Sequence, residues 1–357
     1  MDLVRCFAFF FVVCTHFMSN IGYYDQPMMG KRMFIMTVMR CFFSICVPLF
    51  MMLSGYFMGR KKVEKSHYSK ITKTLVIYLL SSLACVLYKI LYLKQPYPII
   101  EFVRGFFSFG HANYSWYIEM YIGLFLLCPF LNLTYQNLDT KKKKQILIFT
   151  MIFLTALLNL VNTFVPDLNW FADPTSSSRY IPVIPAYWTS LFPITYYFLG
   201  CYLREFPIKM KKRYLLILNI VMAITNGSFS FYRCYGSPYI WGSWQSNGSI
   251  LILTQAVLFL SLFENMDCSN VPSAISKLVC KISELTLGAY LVSYIFDNYF
   301  YKFLNSAVQE AIYRLNWFPV MVVLVIVCSL VLSGLINLIY KASSKLCCLL
   351  KNKVKSK

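Results

Sequence analysis

The chain has 357 residues, of which 58% are hydrophobic and only 13% are charged, and its mean hydropathy is +0.58. A soluble domain of this length needs a far more polar surface, so the composition excludes an ordinary globular protein. The net charge of +20 falls mainly in short segments between apolar runs, which is typical of cytoplasmic loops and does not indicate a nucleic-acid partner. We therefore expect a polytopic membrane protein.

Ten apolar runs, each about 18–22 residues long, match the length that a helix needs to cross a bilayer core of roughly 30 Å. They predict an all-α membrane bundle of about ten transmembrane helices over residues 1–340, followed by a basic cytoplasmic tail at 341–357. The 13 cysteines show no metal-type spacing, so no metal site is expected. In chain order the predicted spans cover 3–22, 35–58, 73–93, 113–133, 146–165, 187–203, 214–231, 248–264, 283–303 and 317–340.

Most of the 34 Lys and Arg residues follow even-numbered spans. The positive-inside rule assigns these loops to the cytoplasm, together with both chain ends, and predicts location in the cell membrane. Two loops on the opposite side are rich in Pro, Gly, Ser and aromatic residues. Such loops are typical either of a cavity entrance whose aromatic side chains stack on sugars or of an aromatic belt at the membrane interface.

The first span carries three polar residues on one face. Arg5 and His16 are eleven positions apart, which is close to three full turns, so they share a face and lie about 16 Å apart along the axis. Asp2, one turn before Arg5, is placed to pair with it. Ionisable groups inside a membrane bundle usually mark a pathway or a site. His67, in a basic loop, is predicted to be solvated, and His111 precedes the fourth span.

Two further charges fall within predicted spans. An unpaired guanidinium at the bilayer centre costs about 2.5–3.5 kcal/mol, so Arg40 should face the bundle and pair with a carboxylate or a donor phosphate. Glu119 can pair with Arg40, orient His16, or remain protonated as a structural donor. We expect the pair with Arg40.

The chain also contains five segments that resemble, in family order and over nearly its whole length, motifs of the integral-membrane acyltransferase 3 family, which O-acylates cell-surface carbohydrates. The opening segment matches a family motif in which ten positions separate a basic residue from a His. The five segments are DLVRCFAFFFVVCTH, VPLFMMLSGYFM, SWYIEMYIGLFLLCPFLN, YFLGCYLRE and ISELTLGAYLV.

The resemblance implies an acetyl-CoA-dependent O-acetyltransferase. His16 would be the general base, with Arg5 and Asp2 organising the cytoplasmic end of its helix. Two differences from the family stand out. Lys70 and Lys73 occupy the place of a basic RxxR pair expected to hold acyl-CoA, and lysine lacks the bidentate fork of arginine. Ser293 stands where family members often have a second His.

Three further residues are expected near the site. Trp116 and Tyr117 are predicted to line a substrate channel, with interfacial anchoring as the alternative. Ser54, with Gly55, is expected to allow close helix packing beside the site, and a nucleophilic role for its hydroxyl is a weaker alternative.

Two other functions remain open from the sequence. A transporter or flippase of lipid-linked sugars also explains many spans and buried charges, although no internal repeat of the kind common in transporters is evident. Acylation of a small molecule would keep the chemistry and change only the acceptor. The partners expected for the leading interpretation are acyl-CoA, a surface glycan or lipid-linked saccharide, and the bilayer.

Overall fold

The structure, a computed structural model, describes residues 1–157, 185–266 and 271–355, and these residues form helices without any strand. Short 3-10 turns and one π-helical turn, Phe153–Leu157, connect or extend the helices. The all-α prediction is confirmed. The α-helices in this part of the chain are α1 Asp2–Asn20, α2 Gly30–Phe43, α3 Cys46–Met58, α4 Lys65–Tyr68, α5 Ile71–Leu91, α6 Ile99–Phe107, α7 Trp116–Gln136, α8 Lys141–Ile152, α9 Phe192–Glu205, α10 Lys212–Arg233, α11 Ile250–Glu264, α12 Ser273–Ala307 and α13 Phe318–Lys355.

Seven helical segments in the described residues are long and apolar enough to cross a membrane, fewer than the ten predicted. The predicted span 187–203 becomes α9, whose 14 residues extend only about 21 Å. The predicted span 248–264 becomes the similarly short α11. The predicted span 146–165 lies partly outside the described residues. The seven segments are Asp2–Asn20, Gly30–Met58, Lys65–Leu91, Trp116–Gln136, Lys212–Arg233, Ser273–Ala307 and Ala311–Lys345.

Helix α1 lies at the centre of the bundle, where it contacts α2, α3, α12 and α13. Of its residues only Ser19 is exposed, so its hydrophobic run packs against protein on every side. The ring of Phe11 shows how this packing is made: its centroid lies 5.1 Å from that of Phe42 in α2 and 5.2 Å from that of Phe259 in α11. The surrounding helices therefore enclose α1 along almost its whole length.

The predicted second span is broken into α2 and α3 at Ser44 and Ile45. The hydroxyl of Ser44 donates to the carbonyl of Arg40 at 2.7 Å, which satisfies an acceptor at the end of α2. Pro48 lies in the first turn of α3, where its missing N–H does no harm. The break separates the part of the span that carries Arg40 from the part that carries Ser54.

Helices α3 and α9 approach each other closely through two glycines. A Cβ at Gly55 would collide with the carbonyl of Tyr197, and a Cβ at Gly200 would collide with the carbonyl of Met52. The predicted close packing next to Ser54 is thereby confirmed at Gly55. Because α3 lines the site described below, this contact fixes one of its walls.

The outermost helix, α13, presents a continuous apolar face to its surroundings, as expected for contact with lipid acyl chains. It runs without interruption through the predicted boundary between the membrane domain and the tail at 340/341. The exposed apolar residues of this face are Val320, Val323, Leu324, Val327, Val331, Leu335, Leu338 and Ile339.

Candidate active site

Two cavities enter the bundle from opposite ends of α1. The Arg5 cavity, of about 450 Å³, begins beside Asp2 and Arg5 and is walled by α1, α3, α5, α7 and α12. The His16 cavity, of about 580 Å³, is lined by Thr15 and His16 together with Arg40 and the segment 241–248. The polar stripe predicted along α1 therefore divides between two chambers, with Arg5 in one and His16 in the other.

The two cavities meet at three residues that line both of them: Val12, Val47 and Tyr290. Val12 lies on α1 one turn before His16, so the catalytic candidate is immediately next to the junction. Tyr290 is almost fully buried, and its hydroxyl donates to the carbonyl of Tyr114. The shared lining, which we call the partition, thus consists of two valines and a tyrosine whose hydroxyl is already engaged.

His16 faces a buried carboxylate that the sequence interpretation did not include. Its Nδ1 lies 3.3 Å from Oδ2 of Asp297 in α12, a distance typical of an ion pair although the geometry is not that of a hydrogen bond. The same Oδ2 accepts a hydrogen bond of 2.9 Å from the hydroxyl of Tyr114. The ring of Tyr114 also stacks on the imidazole, with centroids 3.7 Å apart. Together these contacts fix the plane of the His16 ring.

A signal for Asp297 is present in the sequence. It is the one carboxylate within the predicted span 283–303 apart from Glu284 at its start. Asp297 is 1% exposed, so its burial resembles that of functional membrane carboxylates. Ser293, which takes the place of the family's second His, instead donates to the carbonyl of Tyr290 at 2.8 Å.

The predicted pairing of Asp2 with Arg5 is confirmed. Nη1 of Arg5 lies 3.5 Å from Oδ1 of Asp2, and it also donates to the hydroxyl of Ser283 at 3.0 Å. That hydroxyl donates in turn to Oδ1 of Asp2 at 2.7 Å. The guanidinium also lies over the ring of Phe57. This network ties the start of α1 to α12 at the mouth of the Arg5 cavity.

The two lysines predicted to bind acyl-CoA lie in different environments. Lys73 lines the Arg5 cavity, where its Nζ lies 3.1 Å from Oε1 of Glu284. Lys70 is exposed at the start of α5 and is not among the residues that line either cavity. Of the two, only Lys73 is positioned to meet a ligand inside the bundle.

The three predicted channel residues all line a cavity. Ser54 and Tyr117 line the Arg5 cavity, and Trp116 lines the His16 cavity. The hydroxyl of Ser54 donates to the carbonyl of Phe50 at 2.9 Å, which engages it in the helix backbone. This arrangement favours the packing interpretation of Ser54 over the nucleophilic one.

The predicted ion pair between Arg40 and Glu119 is wrong. Glu119 lies on an exposed face of α7, whereas Arg40 is 4% exposed and lies among aromatic rings. Charge complementarity suggested the pair, but it does not determine which helix faces are neighbours. The guanidinium carbon of Arg40 lies 4.9 Å from the ring centroid of Tyr239 and 5.2 Å from that of Trp241.

The other two histidines lie outside both cavities. His67 is buried, stacks on Phe125 and contacts its carbonyl through Nε2 at 3.0 Å, so the prediction that it is solvated was wrong. His111 is held between Tyr97 and the carbonyl of Phe102. Burial lowers the pKa of His111, which favours its neutral ring. His16 is therefore the histidine available for chemistry at a cavity.

The lining of the Arg5 cavity fits the predicted acyl-CoA donor. Its mouth carries the cations Arg5 and Lys73, suited to phosphates, and both now contact carboxylates that a bound phosphate would have to replace. Farther in, the wall becomes largely apolar, as a short acyl chain requires. These inner residues include Val12, Val47, Phe50, Leu53, Ile77 and Leu287.

Comparison with known proteins supplies the class of chemistry. A model of the acyltransferase 3 family, described as an acyltransferase domain, matches residues 1–337. Neither the search of curated proteins nor the search of solved structures returned a match. The family match spans both cavities and every helix that lines them. The chain therefore belongs to the acyltransferase 3 family of multi-pass membrane acyltransferases.

Proposed function

We propose that this acyltransferase moves an acetyl group from cytoplasmic acetyl-CoA to a hydroxyl of a surface polysaccharide or a lipid-linked glycan. The observation that carries the proposal is the junction at Val12, Val47 and Tyr290, where two cavities meet within one helical turn of His16. A donor and an acceptor can enter from opposite ends and react at this partition. A transporter needs no such base where two cavities meet, and the family assignment also favours the enzyme.

The donor would enter the Arg5 cavity with its phosphates at the mouth. Arg5 and Lys73 would contact these phosphates, and the thioester would lie next to the junction. Such charge-assisted contacts are stronger than neutral hydrogen bonds and hold the charged end of the donor in place. The neutral acetyl group is the part of the donor small and apolar enough for the passage beside Val12.

His16 would act as the general base on the acceptor. It takes the proton from the acceptor hydroxyl while that oxygen forms a bond to the thioester carbonyl carbon. The carbon–sulfur bond then breaks, and His16 gives the proton it took from the acceptor to the sulfur, which leaves as the free thiol of CoA. With Nδ1 directed at Asp297, the proton would reside on Nδ1 and leave Nε2 free to accept.

The experiment compares the full-length protein with His16→Ala in liposomes that contain labelled acetyl-CoA and a panel of polysaccharides. Wild type should place label on a glycan, and the variant should be slower by about 10²–10⁴-fold. His111→Asn, which removes a histidine outside both cavities, serves as the matched control and should retain activity. Full activity in a folded His16→Ala protein would overturn the mechanism, and glycan translocation without label transfer would overturn the function.

A further inference from the structure

Arg40 is a buried cation without a carboxylate partner in the described part of the chain. Its Nε donates to the hydroxyl of Tyr24 at a long 3.5 Å, and its buried Nη1 has no hydrogen-bond partner. Burial of an unpaired charge is costly, and neutral rings replace only part of the hydration that the guanidinium loses. Among the described residues, the guanidinium therefore has no anion to balance its charge.

The aromatic rings around Arg40 hold it in one position. Tyr24 stacks on Trp241, with centroids 5.0 Å apart, and the edge of Tyr239 meets both rings. These rings contact the guanidinium and leave its remaining N–H groups available to bind a ligand. A cation held this rigidly loses little side-chain entropy on binding.

Arg40 also lines the His16 cavity, whose described lining includes no carboxylate. The remaining polar lining consists of hydroxyl and amide groups, and Trp116 and Trp241 add flat apolar surfaces of the kind that stack on sugar rings. Lys73, in contrast, lies in the other cavity, beyond the junction. The cation thus faces the chamber assigned to the acceptor, on the side away from the donor phosphates.

We infer that the His16 cavity selects an acceptor that carries an anionic group, a carboxylate or a phosphate, bound by Arg40. This inference names the acceptor class of the proposed acyl transfer and rests on that function. The anion would anchor the glycan at Arg40 while a neutral hydroxyl elsewhere on it lies at His16. The same contact would explain why an arginine without a carboxylate partner among the described residues is retained inside the bundle.

The test measures binding in the absence of any acyl donor, in nanodiscs that contain the full-length protein. The probes are methyl β-glucuronide for a carboxylate, glucose 1-phosphate for a phosphate and methyl β-glucoside as the neutral sugar. Binding is followed by quenching of tryptophan fluorescence, since two tryptophans line the cavity. At least one anionic probe should bind about tenfold or more tightly than the neutral one, as a charge-assisted hydrogen bond provides.

Three variants assign the preference to Arg40. Arg40→Gln should remove the preference for anionic probes, and Arg40→Lys should keep part of that preference. Arg32→Gln, the matched control on the same helix, should leave it unchanged because Arg32 is exposed and bonds to Asn316. Equal binding of all probes to wild type, no binding of either anionic sugar, or a preference that survives Arg40→Gln would overturn the inference. Because no acyl donor is present, failure of acyl transfer would leave this result unaffected.

Discussion

At the residue scale, Asp297 is the buried carboxylate that faces the proposed base, His16. One oxygen faces Nδ1 of His16 and accepts a hydrogen bond from Tyr114, and the other oxygen is buried without a hydrogen bond. Tyr114 contacts both partners, since its ring stacks on the imidazole. In the proposed mechanism this carboxylate would favour the tautomer with the proton on Nδ1, so Asp297 would act as a positioning residue rather than a reacting one.

Replacement of Asp297 by Asn should slow the reaction and leave donor binding intact. The amide keeps the shape of the carboxylate but removes its charge, so His16 loses the partner that selects its tautomer. We expect kcat to fall by about tenfold or more, and the 10²–10⁴-fold contribution of a general base sets the upper limit. The KM for acetyl-CoA should not change.

The control for this change is Asp139→Asn, which removes an exposed carboxylate whose partner is Lys143, at 2.8 Å. It should alter neither kinetic constant. A rise in the KM for acetyl-CoA with constant kcat in Asp297→Asn would contradict a positioning role and point to donor binding instead.

Whether a pair of residues was predictable from the sequence depends on how far apart the two lie along the chain. Asp2 and Arg5 are three positions apart on one helix, so helical geometry alone predicted their pairing. His16 and Asp297 come from distant helices, and nothing in a single sequence shows that α1 and α12 are neighbours. The prediction that Arg40 pairs with Glu119 was wrong for the same reason, because the sequence does not show which helix faces are neighbours.

At the scale of elements, the contact between α3 and α9 depends on glycine at two positions. Each glycine lies against a backbone carbonyl of the opposite helix, so both helices would have to separate to admit a side chain. Helix association in membranes relies on such close approach, because lipid competes with apolar side chains for contact. Separation of these helices would move the wall that carries Ser54.

Gly200→Ala should therefore destabilise the protein. Overpacking of this kind costs about 1–3 kcal/mol, and the apparent midpoint of thermal unfolding in detergent should fall. Gly123→Ala in α7 is the matched control, because no atom lies near the added methyl group. Alanine is the better helix former by about 0.5–1 kcal/mol, so this control should be neutral or stabilising. Equal midpoints for the two variants would contradict the close contact.

The sequence predicted most long helices but not the short or broken ones. Hydrophobic length identifies α1, α5, α7, α10, α12 and α13, because each can cross the bilayer alone. The break at Ser44 and Ile45 lies within an uninterrupted apolar run, where hydropathy carries no information about backbone direction. Helix α9 was predicted to span, yet only tertiary contacts determine where a short apolar helix ends.

At the scale of the whole molecule, the bundle forms two chambers with a thin partition. The partition consists of one residue each from α1, α3 and α12: Val12, Val47 and Tyr290. Because α1 passes through the centre of the bundle, a single helix contributes residues to both chambers. In the proposed reaction, this arrangement would keep the charged parts of the two substrates apart while their reacting atoms meet.

A larger side chain at the partition should block passage of the acyl group. Val12→Phe should lower transfer at least about tenfold, because a displacement of the reacting atoms of about 1 Å can cost 10²-fold. Binding of labelled acetyl-CoA should persist, since the mouth of the Arg5 cavity is unchanged. The control, Val331→Phe on the exposed face of α13, should leave both measurements as in wild type. Loss of donor binding in Val12→Phe would contradict the two-chamber arrangement.

The apolar partition between the cavities also has an electrical consequence. Moving one elementary charge across a membrane costs or yields about 2.3 kcal/mol for each 100 mV of potential. In the proposed reaction the phosphates of the donor stay at one end of the bundle and only a neutral acetyl group passes Val12. Its passage would therefore neither draw on the membrane potential nor be opposed by it.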